Sequence, residues 1–476
     1  MTGWLLLLRA TVAAWLLAAC GASLAAAPVV TDALVAPLES AYLRAVTPGD
    51  EAAFHRELFG PVLERVHQKY AREVDLSRLT TAALKTLESL EPESAEPAEV
   101  FAKAINAALA ALDPYSRYLD SHAASNHRST MTGSFGGVGL QVEMVDGLVR
   151  VVASMPGTPA GRAGLQSGDF IIGFDDQPVQ GMTLAQTVSV MRGAPGTSIA
   201  LMVRRGGHED VFTVSLVREV IRREPVRWSM EGDVLVLRLA SFTRGMAVAM
   251  ERAITDATTD GTPHAIVLDL RGNSGGLFRQ AVMTADAFLG EGEIVSLQGR
   301  SGSKPRSWNA DASERLGGVP MVVLIDGRSA SAAELVAAAL QENGRAIVMG
   351  RRSFGKGSVQ SMISLGEGKG ALRLTTALYR GPSGRSVQRT GVGPDIELLP
   401  AQAAASASRR GEADTAHVLP GAEEPPPPKA RVEESRCTPA RKANDPALAC
   451  ARAFIEAGGL DAFLVAIEPR EWPYSH

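Results

Sequence analysis

A serine and a lysine in glycine-rich and alanine-rich surroundings are the side chains of this sequence best suited to covalent chemistry. Ser331 lies in DGRSASAAE (326–334), between a predicted strand and a predicted helix. At a helix start, unpaired backbone N–H groups and the positive end of the helix dipole favour a serine oxygen that becomes anionic. Helix capping is the alternative interpretation of these small residues, and Ser329 taken by itself could be an ordinary N-cap. The pattern thus offers a nucleophile but does not require one.

Lys356 is the candidate general base. It stands between two glycines, with no acidic residue beside it in the sequence. A lysine accepts a proton only when it is neutral, so burial must lower its pKa. In the strand predicted for SVQSMISL, alternation places Lys356, Ser358 and Gln360 on one face. Gln360 would then orient the amine without adding a charge that raises its pKa.

Two further glycine-rich runs have interpretations that their surroundings disfavour. RGNSGG (271–276) looks like the serine segment of a chymotrypsin-type protease, but no histidine before it has catalytic surroundings. GRRSFGKG (350–357) nearly matches a phosphate-binding loop, but it ends in glycine where a hydroxyl is needed, and a strand follows it. Gly275 and Gly276 are better placed to offer backbone N–H groups to an oxyanion.

The elements that must position these residues follow from hydrophobic periodicity. Apolar residues recur at helical spacing before residue 130, and short β-like runs with glycine-rich turns follow, with one helix over 183–192. Strands and helices then alternate, which predicts an α/β layer structure. The predicted regions are a helical segment 28–130, a β-rich domain 131–218, an α/β core 219–400, a disordered Ala/Pro-rich linker 401–436 and a short helical segment 437–476.

The N-terminal sequence and the charge balance indicate an exported protein. Residues 1–27 resemble a signal peptide, with Arg9 before a short apolar run and small residues after it. Leu17–Cys20 also resembles the bacterial lipobox, in which the cysteine is lipidated; ordinary cleavage near Ser23–Ala25 is the alternative. We therefore expect a periplasmic protein, anchored to the membrane if Cys20 carries lipid. With 48 basic and 52 acidic side chains, the composition argues against nucleic-acid binding.

Several segments together resemble the carboxy-terminal processing proteases, also called tail-specific proteases, a serine–lysine peptidase family. The matching segments, in the family's order, are LDPYSRYLD (112–120), a PDZ-like block (136–218), LDLRGNSGGL (268–277), the run 327–360 and GVGPDIEL (391–398). The resemblance implies a crotonase-like (Clp-type) α/β serine protease core with an inserted PDZ domain and a helical N-terminal region. It also implies serine endopeptidase activity without a metal or cofactor.

The same resemblance implies roles for individual residues. Ser331 would be the nucleophile, Lys356 the base and Gln360 the residue that positions the lysine. Backbone N–H groups of Ala332 and of Gly275 or Gly276 would form the oxyanion hole. Glu334 and Ser353 occupy family motif positions and would support this site.

The PDZ-like block would select the substrate. Its peptide-binding positions are Gly137, Val138, Gly139 and Leu140 in the carboxylate-binding loop and Val188 on the facing helix. Such a loop and strand edge bind free C-termini of proteins and peptides. The family resemblance also gives Arg192 a regulatory role, coupling the PDZ domain to activity. An activating adaptor protein and a homo-oligomer remain open.

A different class of function is a catalytically inactive PDZ scaffold in the periplasm, which the intact serine, lysine and glutamine argue against. A histidine-dependent PDZ protease is disfavoured by domain order, because the PDZ block here precedes GNSGG. If Cys20 is the lipid anchor, Cys437 and Cys450 remain as an even pair. In an oxidising compartment we expect these two to form a disulfide.

Overall fold

The computed structural model describes most of the chain after the predicted leader. The described residues are 30–92, 96–175, 177–205, 211–222, 224–300, 304–311, 314–400, 411–415, 417–421, 424–437 and 445–468. The predicted signal segment 1–27, with Cys20, lies outside them. Within these ranges, no helix is long and apolar enough to cross a membrane.

In its described part, the N-terminal region is helical and packs around one apolar core. Its helices are α1 (Asp32–Ala45), α2 (Asp50–Arg56), α3 (Phe59–Lys69), α4 (Leu76–Glu88), α5 (Pro97–Ala110) and α6 (Ser121–Met131). The rings of Tyr42, Phe59 and Phe101 are fully buried and meet edge to face. Leu372 and Leu374 belong to the same core, so this region is packed on the catalytic part of the chain.

The middle region is an antiparallel sheet with two short helices. Its elements are β2 (Ser134–Gly137), β3 (Leu140–Val145), β4 (Leu148–Ser154), α7 (Pro159–Arg162), β5 (Phe170–Phe174), β6 (Gln177–Pro178), α8 (Leu184–Met191), β7 (Ser198–Arg204), β8 (Val211–Val217) and β9 (Glu219–Arg222). The main strand order is β3-β4-β5-β7-β8, which makes β3 an edge strand. Val149, Val151 and Ile171 are among the fully buried residues of its own core.

The third region is built on a largely parallel sheet. Its strands, in spatial order, are β10 (Val226–Glu231), β11 (Val234–Leu239), β12 (Ala265–Asp269), β15 (Met321–Ile325), β16 (Ile347–Gly350), β19 (Ile396–Leu399) and β20 (Ala430–Glu433). All residues of β12 and β15 are buried, as expected for parallel strands covered on both faces.

Different helices cover the two faces of this sheet. One face packs against α9 (Met246–Ala257), α10 (Phe278–Asp286) and α11 (Ala332–Glu342). The other face packs against α12 (Pro446–Ala457) and α13 (Leu460–Ala466). The predicted C-terminal helical segment is therefore the second helical layer of the core. Cys437 and Cys450 form a disulfide that ties α12 to the chain after β20.

A second sheet includes the strand that begins two residues after the predicted base, Lys356. It contains β1 (Arg117–Leu119), β13 (Glu293–Gln298), β14 (Arg306–Asn309), β17 (Ser358–Ser364) and β18 (Ala371–Arg380). The long strand β18 pairs with β17, β1 and β13, so it links the N-terminal region to the segment after Lys356.

The prediction of a disordered linker over 401–436 is wrong for much of that segment. Residues 412–414 form a 3-10 turn, and β20 pairs in parallel with β19. Composition alone misses this because the alternating ARVE pattern of β20 needs a sheet edge to pair with, and β19 provides it. Val432 is buried on that edge, and Arg431 pairs with Glu397.

Candidate active site

Ser331 lies at the junction of β15 and α11, immediately before the first helical residue. The sequence predicted it inside the first turn, and the structure places it one position earlier. Its backbone has φ 56° and ψ −115°, a strained conformation for a residue with a side chain. The Ser331 N–H donates to Glu334 Oε2 (2.7 Å), and Ser331 O accepts from the Tyr379 hydroxyl (2.8 Å). The turn thus holds the serine by both backbone polar groups.

Gly275, in the turn after β12, lies directly against Ser331, whereas Gly276 lies against the backbone of Phe242. A Cβ added to Gly275 would sit 2.9 Å from Ser331 Cβ and 3.0 Å from Ala332 N, so only glycine fits there. The Gly275 N–H donates to the Asn273 side chain (2.9 Å). Among the described residues, no such acceptor is found for the N–H of Gly276 or of Ala332. Of the predicted oxyanion donors, Gly275 is thus engaged by Asn273, whereas the N–H groups of Ala332 and Gly276 have no such bond within the described ranges.

The structure brings Lys356, Gln360 and Ser358 together, as alternation along the strand predicts. Lys356 Nζ donates to Gln360 Oε1 (2.7 Å), while Gln360 Nε2 donates to Ser358 Oγ (3.0 Å) and Thr375 Oγ1 (3.2 Å). Both amide hydrogens of Gln360 are thereby engaged, which leaves its carbonyl oxygen facing the amine. The amine has a fixed orientation, and its neutral form keeps a lone pair for a proton.

Burial, with a smaller contribution from the charge of Arg373, lowers the pKa of Lys356 to about 8. Glu412, Glu334 and Asp113 act in the opposite direction. No acidic residue stands beside this lysine in the sequence, but three carboxylates distant in the sequence lie near it in the fold. Desolvation outweighs them, and the amine titrates near neutral pH.

Glu334 joins the serine turn to the lysine loop. Its side chain is fully buried and accepts hydrogen bonds from Ser331 N, Ser353 Oγ (2.5 Å), Gly355 N (2.6 Å) and Lys356 N (2.8 Å). Burial raises the pKa of Glu334 to about 7, against the effect of these donors. One carboxylate thus fixes the backbone of both catalytic candidates, with Ser353 as a further donor.

Sequence reasoning missed two tyrosines of this site. The Tyr379 hydroxyl bonds Lys356 O (3.0 Å) as well as Ser331 O, and Lys356 Nζ lies 4.4 Å from the centre of the Tyr115 ring. Tyr115 belongs to the LDPYS segment, which was noted for its resemblance but given no role. Ser116 in this segment donates to Asp113 Oδ2 (2.7 Å) and accepts from Thr375 N (3.1 Å), which docks the segment on β18.

Of the predicted loop positions, Gly137 ends β2, which pairs with β9 in a separate two-stranded sheet, and the chain from Val138 leads into the edge strand of the main sheet. Val138 O and Gly139 O accept from Ala160 N and Met155 N (both 2.9 Å). In the described part of the chain, the N–H groups of Val138 and Gly139 have no such backbone partner. Leu140 begins the edge strand β3.

The C-terminal end of α8 contacts β2 of the same region. Val188, on that helix, is half-buried against the domain's own core. The Arg192 guanidinium stacks over the Phe135 ring (4.6 Å), on β2. A Cβ on Gly136 would approach Gly193 O to 2.0 Å, so β2 and the end of α8 are in close contact.

Comparison with known proteins assigns families to the middle region and to the α/β core. The family model described as peptidase family S41 matches residues 233–398, and that of a PDZ domain matches residues 150–205. The carboxy-terminal-processing protease of Bartonella bacilliformis is 40% identical over 358 residues, 74% of this chain and 77% of that protein.

Two further proteins extend this likeness. The carboxy-terminal processing protease CtpA of Bacillus subtilis is 34% identical over 287 residues, 60% of each chain. A solved structure titled photosystem II D1 C-terminal processing protease is 28% identical, with a TM-score of 0.46, and the match covers 74% of this chain and 94% of that one.

Proposed function

Because the chain belongs to peptidase family S41, among the carboxy-terminal processing proteases, and is a serine-type peptidase, we propose that it is an exported endopeptidase for C-terminal tails. In this proposal, the PDZ domain binds the tail of an unfolded or precursor protein, and Ser331 with Lys356 cleaves the chain. The observation that carries the proposal is the buried Lys356 amine, oriented by Gln360, in one hydrogen-bonded unit with the Ser331 turn.

In this proposal, the reaction uses these groups in turn. Ser331 Oγ attacks the peptide carbonyl carbon while neutral Lys356 accepts the hydroxyl proton. The resulting oxyanion accepts hydrogen bonds from the N–H groups of Ala332 and Gly276. The lysine then gives its proton to the leaving amine, the C–N bond breaks, and an acyl ester forms on Ser331. Water then attacks the ester while Lys356 accepts one of its protons; the bond between the acyl carbon and Ser331 Oγ breaks, the lysine returns the proton to Oγ, and the acid is released.

Tail recognition predicts a dependence on the free C-terminal carboxylate of the substrate. An unfolded substrate with an amidated C-terminus should show a kcat/KM at least about tenfold lower than the same chain with a free carboxylate, since the loop N–H groups lose an anionic acceptor. Steady-state cleavage of the two substrates measures this. The same preference should appear in equilibrium binding to Ser331→Ala, which separates binding from cleavage. Equal kcat/KM values would exclude carboxylate recognition.

Export is the second part of the proposal, and the Cys437–Cys450 disulfide supports it because disulfides persist in oxidising compartments. Fractionation of cells that express the full chain should recover it outside the cytoplasm. Without reductant, denatured protein should show no labelling of these two thiols. Recovery in the cytoplasm with both thiols reactive would contradict export. Labelling with a lipid precursor, lost in Cys20→Ala, would separate the lipoprotein from the ordinarily cleaved form.

A further inference from the structure

A segment beyond the peptidase family match reaches the lysine loop. Residues 411–415 and 417–421, here called the strap, follow β19 in the sequence, whereas the family model ends at residue 398. The strap buries two side chains, Glu412 and Leu419. A buried leucine is ordinary packing. Burial of a glutamate carboxylate destabilises the folded protein unless the charge is paired or hydrogen-bonded.

Glu412 binds the loop that carries Lys356. The Glu412 N–H donates to Phe354 O (2.9 Å), two residues before the lysine. The Arg389 N–H donates both to Glu412 Oε2 (3.2 Å) and to Gly355 O (2.7 Å). The backbone of Glu412 therefore holds Phe354 directly, and its side chain acts on Gly355 through the shared Arg389 N–H.

The rest of the strap fixes Glu412 in place. Leu419 packs in the core of the N-terminal helices, together with Leu372 and Leu374 of β18. A Cβ on Gly421 would lie 2.9 Å from Arg389 Cβ, so the strap crosses closely over Arg389. The strap is thus anchored on both sides of the lysine loop.

The carboxylate of Glu412 is not part of an ordinary ion pair. Among the described residues, no lysine or arginine forms a salt bridge with it. Burial raises its pKa, while the nearby Tyr115 hydroxyl, Gln388 amide and Lys356 charge act the other way. Tyr115 is also the residue whose ring lies against the Lys356 amine. The glutamate carboxylate is therefore close enough for its charge to influence the Lys356 amine.

From this geometry we propose that Glu412 is a positioning residue for Lys356, and that the strap is a component of the catalytic site. The inference deepens the proposed function and rests on it, since it concerns the same lysine. Glu412 contacts the lysine loop rather than the reacting serine. It acts by holding the loop and by placing a negative charge near the amine.

The charge has a consequence for pH dependence. The groups facing Lys356 are Arg373, which favours the neutral amine, and the carboxylates of Glu412, Glu334 and Asp113, which favour the ammonium. Activity requires the neutral amine and falls as pH drops through its pKa. If the charge of Glu412 is removed, the pKa of the lysine falls, so activity persists to lower pH.

Glu412→Gln in the full-length protein tests this directly, because glutamine keeps the size and can still accept from the Arg389 N–H. We expect the acid limb of the kcat/KM profile to move down by about one pH unit. Glu412→Ala, which also releases the loop, should lower kcat about tenfold with KM within about twofold. The matched control is Glu367→Gln, an exposed acid outside the strap at the turn between β17 and β18, which should keep the wild-type profile.

The outcomes separate this inference from the proposed function. An active wild type, an inactive Ser331→Ala and an unmoved acid limb in Glu412→Gln would overturn the role of Glu412 alone. A rise in KM at constant kcat in Glu412→Ala would also overturn it, because it would place the residue in substrate binding. A wild type with no Ser331-dependent cleavage would overturn both. Thermal melts check folding, and Glu412→Gln carries the test if Glu412→Ala unfolds.

Discussion

Replacing Ser331 with alanine should lower kcat for an unfolded protein substrate by about 10⁴-fold or more, since no other group can form the acyl ester. KM or the Kd for the tail should change little, because the proposed function assigns tail binding to the PDZ domain. The variant should fold normally: alanine keeps the backbone bonds to Glu334 and Tyr379. Single-turnover and steady-state cleavage rates of the variant and of the wild type, measured side by side, test this.

Ser329→Ala is the matched control for this variant. Ser329 is buried two residues away, where its hydroxyl donates to Leu270 O (2.9 Å) and accepts from Asp326 N (3.0 Å). Its loss should destabilise the protein by about 1–3 kcal/mol while cleavage persists. If Ser331→Ala cleaved as fast as the wild type, the nucleophile would lie elsewhere. If neither the wild type nor any variant cleaved, a PDZ scaffold would fit better.

Local sequence pattern predicts the parts of the site that are formed by residues close together in the sequence. The fold class, an α/β peptidase core with a PDZ domain and a helical N-terminal region, is confirmed. Strand alternation predicts the contact of Lys356 with Gln360, although β17 begins only at Ser358 and has a register shift before Gln360. The position of Ser331 needs only a strand followed by a helix. Both features are encoded within a few residues, so periodicity finds them.

Local sequence pattern does not predict the parts of the site that depend on tertiary contacts. Ser116 and Thr375 are 259 residues apart, yet their hydrogen bond sets the Tyr115 ring against the lysine. Glu412 comes from a segment whose Ala/Pro composition predicts disorder. Its burial depends on the shape of the lysine loop and of the N-terminal helices, which no local window contains. The choice of Gly276 over Gly275 likewise depends on which N–H group Asn273 engages.

Replacing Lys356 with arginine should abolish cleavage at every pH between 6 and 10, with a loss of about 10³-fold or more. A guanidinium stays protonated throughout this range and cannot accept the serine proton. The wild type should instead gain activity as pH rises through about 8, the pKa of the buried amine, and level off above it. The pH profile of kcat/KM measures both. Lys369→Arg, at the turn between β17 and β18, should behave as the wild type.

Lys356→Met distinguishes a catalytic amine from a structural one through stability. Burial lowers the pKa of this lysine in the folded state, so the folded protein binds fewer protons than the unfolded chain between about pH 8 and the ordinary lysine pKa near 10.5. The wild type therefore loses stability as pH falls through that window, and below it carries the full cost of a buried ammonium. Methionine carries no such cost. At pH 7 the inactive Lys356→Met should have a higher Tm than the wild type, whereas a lower Tm would mean that the lysine is retained for its structural contacts.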